Sequence, residues 1–184
     1  VKRGMRVLDA CAAPGGKAAH LLELEECELI ALDISRERVV RIDENLTRLG
    51  LNGTVQVGDA ARPPTFWDGR PFDRILVDAP CSASGVVRRH PDILWLRRES
   101  DIASFAATQA RMLETLWQLL IPGGTLLYAT CSVFPEENGL QVRSFLGRHP
   151  EAFAMPLAGL GDGQILPGID TDGFYYALLQ KNRS

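Results

Sequence analysis

The chain has 184 residues, 46% of them hydrophobic and 23% charged, with a net charge of −3. That length suits one domain with a core of its own, and no apolar run approaches a membrane span or reads as a signal peptide. The acidic balance gives no general support for nucleic-acid binding, which must rest on a local basic patch. Four cysteines, Cys11, Cys27, Cys81 and Cys131, form no C-x-x-C pair. This argues against a zinc site and fits a reduced, cytoplasmic setting. The chain starts at Val1 and reaches its first predicted strand at Arg6, as an excised domain would.

The first element is a buried strand over Arg6–Cys11. Ala12–Gly16 cannot continue it, because Pro14 and two glycines make a tight turn that a ligand can approach closely. Lys17–Leu24 reads as a helix, with Ala18, Leu21 and Leu22 at helical spacing. Strand, glycine loop and helix in this order place backbone N–H groups where a nucleotide-like ligand binds. Leu29–Ile34 is the second strand. It carries Asp33, 17 residues beyond Gly16 and near the spacing at which a carboxylate reaches ribose hydroxyls. The loop is not G-x-G-x-x-G, which argues against a nicotinamide or flavin cofactor.

Arg36–Leu49 follows as an amphipathic helix stopped by Gly50, and Thr54–Gly58 as a strand leading to Asp59. Pro63–Pro71 is a loop. Arg74–Ala79 is a near-continuous apolar strand carrying Asp78. Ser84–Arg98 is a long, Arg-rich connection, and Ile102–Leu120 a long helix stopped by Pro122-Gly123-Gly124. Thr125–Thr130 is the fifth strand, Glu136–Leu146 a helix, and Ala152–Leu157 and Phe174–Lys181 the sixth and seventh strands. Alternating strands and helices imply an α/β fold with a mostly parallel sheet.

Cys11, Asp33, Asp59, Asp78 and Cys131 all fall at the ends of predicted strands. In an open parallel sheet those ends share one edge, and ligands bind there. Helix capping is the competing role for Asp33 and Asp59. Cys81 and Cys131 each precede a serine and follow strands expected to be neighbours, so both thiols can face one cleft. For either cysteine alone, burial as a small hydrophobe is the plainer explanation.

The blocks Leu8–Lys17 (LDACAAPGGK), Phe72–Arg98 (with DAPCS and RRHPDI), Gly123–Asn138 (with ATCS) and Leu166–Lys181 span most of the chain. They resemble the catalytic domain of the RNA cytosine-5 methyltransferases of the Nol1/Nop2/Sun family, and RRHPDI points to its Sun branch. The resemblance implies a Rossmann-like class I methyltransferase fold with a seven-stranded sheet, S-adenosyl-L-methionine as cofactor, and RNA, in particular 16S ribosomal RNA, as substrate. It implies Cys131 as nucleophile, Cys81 as the group assisting product release, Asp78 at the cytosine edge, and Lys17 supporting Asp78 or a thiolate. It implies a cofactor site of Cys11, Ala12, Ala13, Pro14, Gly15, Gly16, Lys17, Asp33, Asp59 and Asp78. Arg88, Arg89, His90, Arg97 and Arg98 form the local basic stretch suited to RNA phosphates. Family members carry RNA-binding domains upstream of residues such as 1–184, which are here read as the catalytic domain alone.

Three other readings compete. A DNA cytosine-5 methyltransferase would use Cys81 as attacker, but leaves the Cys131 block unexplained. An amino-group methyltransferase needs an aromatic after Pro-Pro, where this chain has Pro80-Cys81-Ser82. A non-catalytic cofactor-binding scaffold in ribosome assembly has no use for two such thiols.

Overall fold

The structure is a computed structural model and describes residues 1–183. Arg6–Asp9 (β1), Glu28–Asp33 (β2), Thr54–Val57 (β3), Phe72–Asp78 (β4) and Leu120–Thr130 (β5) lie parallel in the order β3-β2-β1-β4-β5. Ala152–Met155 (β6), Gln164–Ile165 (β7) and Phe174–Lys181 (β8) complete the sheet. β8 runs antiparallel to β5, and β6 and β7 both pair with β8. The expected α/β class and mostly parallel sheet are found. The sheet has eight strands rather than seven, because the two-residue β7 is too short to leave a periodic signal.

Alternation along the strands divides the core in two. Val7, Leu29 and Ala31 face the helices Gly16–Leu24 (α1) and Arg36–Leu49 (α2), meeting Ala18, Ala19, Ile42 and Leu46. Leu8, Ile30, Leu32, Ile75 and Val77 face the other side. Beyond the short helix Ile93–Leu96 (α3), that side is covered by Glu99–Gln118 (α4) and Gly139–Arg148 (α5). Leu113, Leu116, Trp117 and Phe145 are fully buried there. Burying each such side chain contributes about 1.5–3 kcal/mol, which is why a parallel sheet needs helices on both faces.

Several boundaries moved for identifiable reasons. Pro122-Gly123-Gly124 does not precede β5 but lies within it. Between Phe72↔Leu120 and Arg74↔Thr125, two steps of β4 oppose five of β5, and Gly123 takes φ +79° to make the bulge. Helix α4 begins at Glu99, earlier than expected, because the Asp101 carboxylate accepts from the Arg98 backbone N–H at 2.9 Å. Helix α5 begins at Gly139, later than expected, because Glu137 and Asn138 turn inward and are 0% and 1% exposed.

The two edges of the sheet treat charge differently. Under the amino-terminal edge, buried Arg6 bonds Glu28 at 3.1 Å and Asp68 at 2.7 Å and donates to the Arg70 carbonyl. Its charge is matched and its donors are used, as a structural ion cluster requires. The carboxyl-terminal edge is not closed in this way.

Candidate active site

The strand order reverses between β1 and β4, so a crevice opens at their carboxyl ends. It is a cleft of about 290 Å³. Cys11, Asp33, Asp59, Asp78, Cys81 and Cys131 all line it, together with Ala13, Ile34, Arg38 and Met112. All five strand-end residues singled out from the sequence, and both paired thiols, therefore meet in one place.

The glycine loop contributes Cys11 and Ala13 to the lining. Gly15 has φ +107°, and a Cβ there would sit 3.1 Å from the Ile42 backbone, so glycine serves both the turn and the packing on α2. Asn45 Nδ2 donates to the Pro14 carbonyl at 2.8 Å and fixes the loop from α2. Helix α1 starts at Gly16 with no side-chain cap, leaving its first N–H groups and positive dipole end for a ligand. Asp33, 3% exposed, accepts from Ser35 N–H at 3.0 Å and Ala13 N–H at 3.3 Å. The cap of α2 is Ser35, not Asp33. Asp59 accepts from Ala61 N–H at 2.9 Å and pairs with Arg62 at 3.5 Å while lining the cleft, so it combines the turn role with a half-buried carboxylate. Burial pushes the Cys11 thiol up, leaving it an inert part of the wall.

Asp9, the last residue of β1, is 0% exposed. Among the described residues neither of its carboxylate oxygens has a hydrogen-bond partner. Burial, then the charge of Asp78, pushes its pKa up to about 7, and Lys17 offsets this only in part. An unpaired buried carboxylate is costly, and this one lies under a loop built to receive a ligand. In the sequence Asp9 is one more residue of the first strand.

The two thiols are 3.4 Å apart. Cys81 is buried and Cys131 half-buried. The hydrogen bond with Cys131, followed by burial, holds the Cys81 thiol far above its ordinary range, and the same bond holds Cys131 below its own. The more accessible sulfur is thus the one that ionises. Asp78 Oδ2 accepts from Lys17 Nζ at 2.6 Å across the mouth of the site. Burial pulls the Lys17 pKa down, but its bond to Asp78 outweighs that and the net shift is upward.

A sequence model of a family described as 16S rRNA methyltransferase RsmB/F matches residues 1–180. The chain belongs to the RsmB/F family. It is 54% identical over 181 residues to ribosomal RNA small subunit methyltransferase B of Vibrio cholerae, covering 97% of this chain and 42% of that protein. The protein of the same name from Klebsiella pneumoniae is 50% identical over 187 residues, covering 100% and 43%. The chain thus spans less than half the length of these curated relatives. Among solved structures, NSun6 from Pyrococcus horikoshii with SFG superposes with TM-score 0.88 at 31% identity, over 100% of this chain and 50% of that one. The N-methyltransferase NodS from Bradyrhizobium japonicum, at 14% identity and TM-score 0.63, shares the fold alone.

The fold is that of the class I methyltransferases, and the RsmB/F family is S-adenosylmethionine-dependent. The cleft suits that cofactor. Its lining combines the Asp33 and Asp59 carboxylates with exposed apolar Ile34, and next to it lie the uncapped start of α1 and the buried, unpartnered Asp9, a donor set that fits a charged, nucleoside-bearing ligand.

The basic stretch expected to meet RNA is partly committed to contacts within this RsmB/F-family chain. Arg88 and Arg89 both pair with buried Asp172, the latter at 2.6 Å, and Arg88 also donates to the Ile169 carbonyl at 2.9 Å. Arg97 Nε donates to the Ser82 carbonyl at 3.0 Å, and its guanidinium lies 5.2 Å from the Phe105 ring centre. His90 and Arg98 stay exposed. Between them α3 presents Leu94, Trp95 and Leu96 to solvent, Trp95 being 88% exposed.

Proposed function

We propose that this domain transfers a methyl group from S-adenosylmethionine to carbon 5 of a cytosine in RNA, with small-subunit ribosomal RNA as the substrate and the cytoplasm as the setting. The observation that carries the reading is the Cys81–Cys131 pair, 3.4 Å apart, in the same cleft as the glycine loop and Asp33. Two thiols serve no purpose in a cofactor scaffold, and a DNA-type attack would start from the buried thiol whose proton is held.

Carbon 5 of cytosine is a poor nucleophile. Addition of the Cys131 thiolate to carbon 6 converts the ring into an enamine, which splits one difficult step into two easier ones. Asp78 meets the nitrogen-3 edge, and the 2.6 Å contact to Lys17 orients its carboxylate there, so that a proton from the Lys17 ammonium passes through Asp78 to the adduct. The bound cofactor supplies an electrophilic methyl group. The carbon-5 proton then passes to water as the carbon-6–sulfur bond breaks, the departing Cys131 sulfur takes the Cys81 proton, and solvent restores the Cys81 thiol. Residues 11–17 hold the methionyl part, Asp33 the ribose and Asp59 the adenine side, with Arg38 bracing the loop through the Ala13 carbonyl at 3.1 Å. A base held in a duplex must be flipped out to reach Cys131. Residues 1–184 act as the catalytic domain, and His90, Arg98 and Trp95 supply phosphate and stacking contacts.

A tritium-release assay tests the reading. Ribosomal RNA bearing [5-³H]cytidine will lose one tritium to water for each methyl group gained, and digestion will yield 5-methylcytidine. Methyl incorporation with tritium retained would mean transfer to nitrogen or to the ribose, and would end the proposal.

Asp9 gives a second test. Asp9→Asn will weaken cofactor binding by about 10–100-fold, the scale of a lost charge-assisted hydrogen bond. The same change will stabilise the ligand-free protein above pH 7. The folded pKa of about 7 lies above the ordinary value of 3.8, so ionising Asp9 costs the folded state stability as pH rises through that window. The cost is absent at low pH and complete above the folded value. Calorimetry with S-adenosylmethionine and melts at pH 4 and pH 8 check both halves. A melting gain equal at the two pH values would dismiss the buried-charge account.

A further inference from the structure

The serines that follow the two cysteines lead to one buried group. Glu137 is 0% exposed. Its Oε1 accepts from Ser82 N–H at 2.8 Å and from Gln109 Nε2 at 3.2 Å. Its Oε2 accepts from Ser82 Oγ at 2.6 Å and from Ser132 Oγ. The carboxylate therefore joins the loop after β4 to the loop after β5 at the residue next to each thiol. Ser84 Oγ lies 3.2 Å from both serine hydroxyls and closes the cluster.

Each cysteine is also pinned from its other side. Gln109 Nε2 donates to the Pro80 carbonyl at 3.0 Å, just before Cys81. Thr130 Oγ1 donates to Asn138 Oδ1 at 2.6 Å just before Cys131, and Asn138 Nδ2 donates to the Ser132 carbonyl at 2.8 Å just after it. Tyr128 Oη donates to the Glu137 carbonyl at 2.7 Å. Cys81 and Cys131 thus ride between clamped neighbours, and Glu137 is the clamp they share. A buried network that bonds both oxygens of a carboxylate rigidifies what it holds, even though Gln109 Oε1 has no partner among the described residues. This explains why Glu137 and Asn138 were drawn out of α5.

We propose that Glu137 is a positioning residue that fixes the separation of the Cys81 and Cys131 thiols, and through it couples adduct formation to adduct release. The release half rests on the cytosine-5 reading above; the geometric half does not. Attack needs only Cys131. Release needs Cys81 within proton-transfer distance of the same sulfur, and that distance is set by how the two loops are held relative to each other. Loosening the clamp therefore impairs release more than attack.

The geometric half is tested without RNA. Diamide takes up two electrons and two protons as it joins two thiols, so the rate of Cys81–Cys131 disulfide formation, read by peptide mass spectrometry, reports how well they are aligned. Glu137→Ala will slow that bridging by about 10–100-fold, the scale of an ångström-sized misplacement. Glu137→Gln will restore it to within about threefold, because its amide can donate to both serine hydroxyls while its oxygen keeps accepting from Ser82 and Gln109. Ser82→Ala and Ser132→Ala, each removing one arm of the clamp, give intermediate rates and serve if Glu137→Ala does not fold.

With RNA and S-adenosylmethionine, Glu137→Ala will raise the ratio of covalent adduct to released product by at least about tenfold. A purely structural loss would lower adduct and product together. Unchanged bridging in Glu137→Ala and in both serine variants overturns the positioning role. Slowed bridging with no adduct even from the unaltered protein leaves the clamp standing and removes the covalent mechanism instead. Slowed bridging with adduct formed but its ratio to product unchanged overturns the coupling.

Discussion

Cys131→Ala will form no covalent adduct with RNA and will lose methyl transfer by about four orders of magnitude or more, the usual cost of deleting a nucleophile. Cys81→Ala will do the opposite on a denaturing gel, accumulating a protein–RNA band in the presence of S-adenosylmethionine. The asymmetry follows from the site. The two sulfurs are 3.4 Å apart and both line the cleft, but Cys81 is 8% exposed whereas Cys131 is only half-buried. The Cys81 thiol keeps its proton and lends it to Cys131, whose own pKa is lowered. Without Cys81 the Cys131 thiolate can still add to carbon 6, but the sulfur has no proton donor when it must leave. A band in Cys131→Ala and none in Cys81→Ala would make Cys81 the attacker, as in the DNA-type mechanism. If neither variant gives a band, the covalent route is wrong.

Gly85→Ala will be nearly as damaging, although Gly85 carries no chemistry. Its N–H donates to the Cys131 carbonyl at 2.9 Å, and its carbonyl accepts from Gly173 N–H at 2.8 Å. A Cβ there would lie 2.2 Å from the Gly173 carbonyl oxygen and 2.6 Å from its carbon. Backbone cannot yield as a flexible side chain can, so the loop after β4 must move off the nucleophile's carbonyl. Overpacking of this kind costs about 1–3 kcal/mol, which lowers Tm by roughly 2–12 °C at this size. Transfer will fall about 100-fold, as it does when a reacting group is misplaced. Gly147→Ala is the control. It lies on the exposed side of α5 with nothing within 4 Å of an added Cβ, so it will leave Tm unchanged or raise it slightly. A Gly85→Ala protein that melts and turns over like the unaltered one would show that the two loops are not in fact locked.

Much of the site was legible because strand ends announce themselves. Asp33, Asp59, Asp78 and the two cysteine blocks follow apolar runs, and a parallel sheet brings such ends to one edge whatever the details. Strand pairing then set β4 beside β5 and the thiols together. What the sequence hid depends on contacts between distant residues. Asp9 reads as one more strand residue, and only its surroundings reveal that its carboxylate has no donor. Glu137 reads as the first turn of a helix, because nothing local says that four donors from three other segments await it. Arg88 and Arg89 read as free cations, since Asp172 lies more than 80 residues away in the chain. Pro122-Gly123-Gly124 reads as a stop because a bulge inside a strand uses the residues that also end helices.

The exposure of Trp95 gives the protein a built-in optical reporter. Of its three tryptophans, Trp117 is sealed in the core at 0% and Trp67 is partly covered, while Trp95 stands 88% in solvent on α3. A dissolved quencher such as acrylamide extinguishes the emission of an open indole and spares a sealed one. Steady-state fluorescence of the unlabelled chain therefore weighs α3 far above the interior. Shielding of that signal follows whatever settles on the face between His90 and Arg98, while the Trp117 emission that survives the quencher tracks the integrity of the fold in the same cuvette.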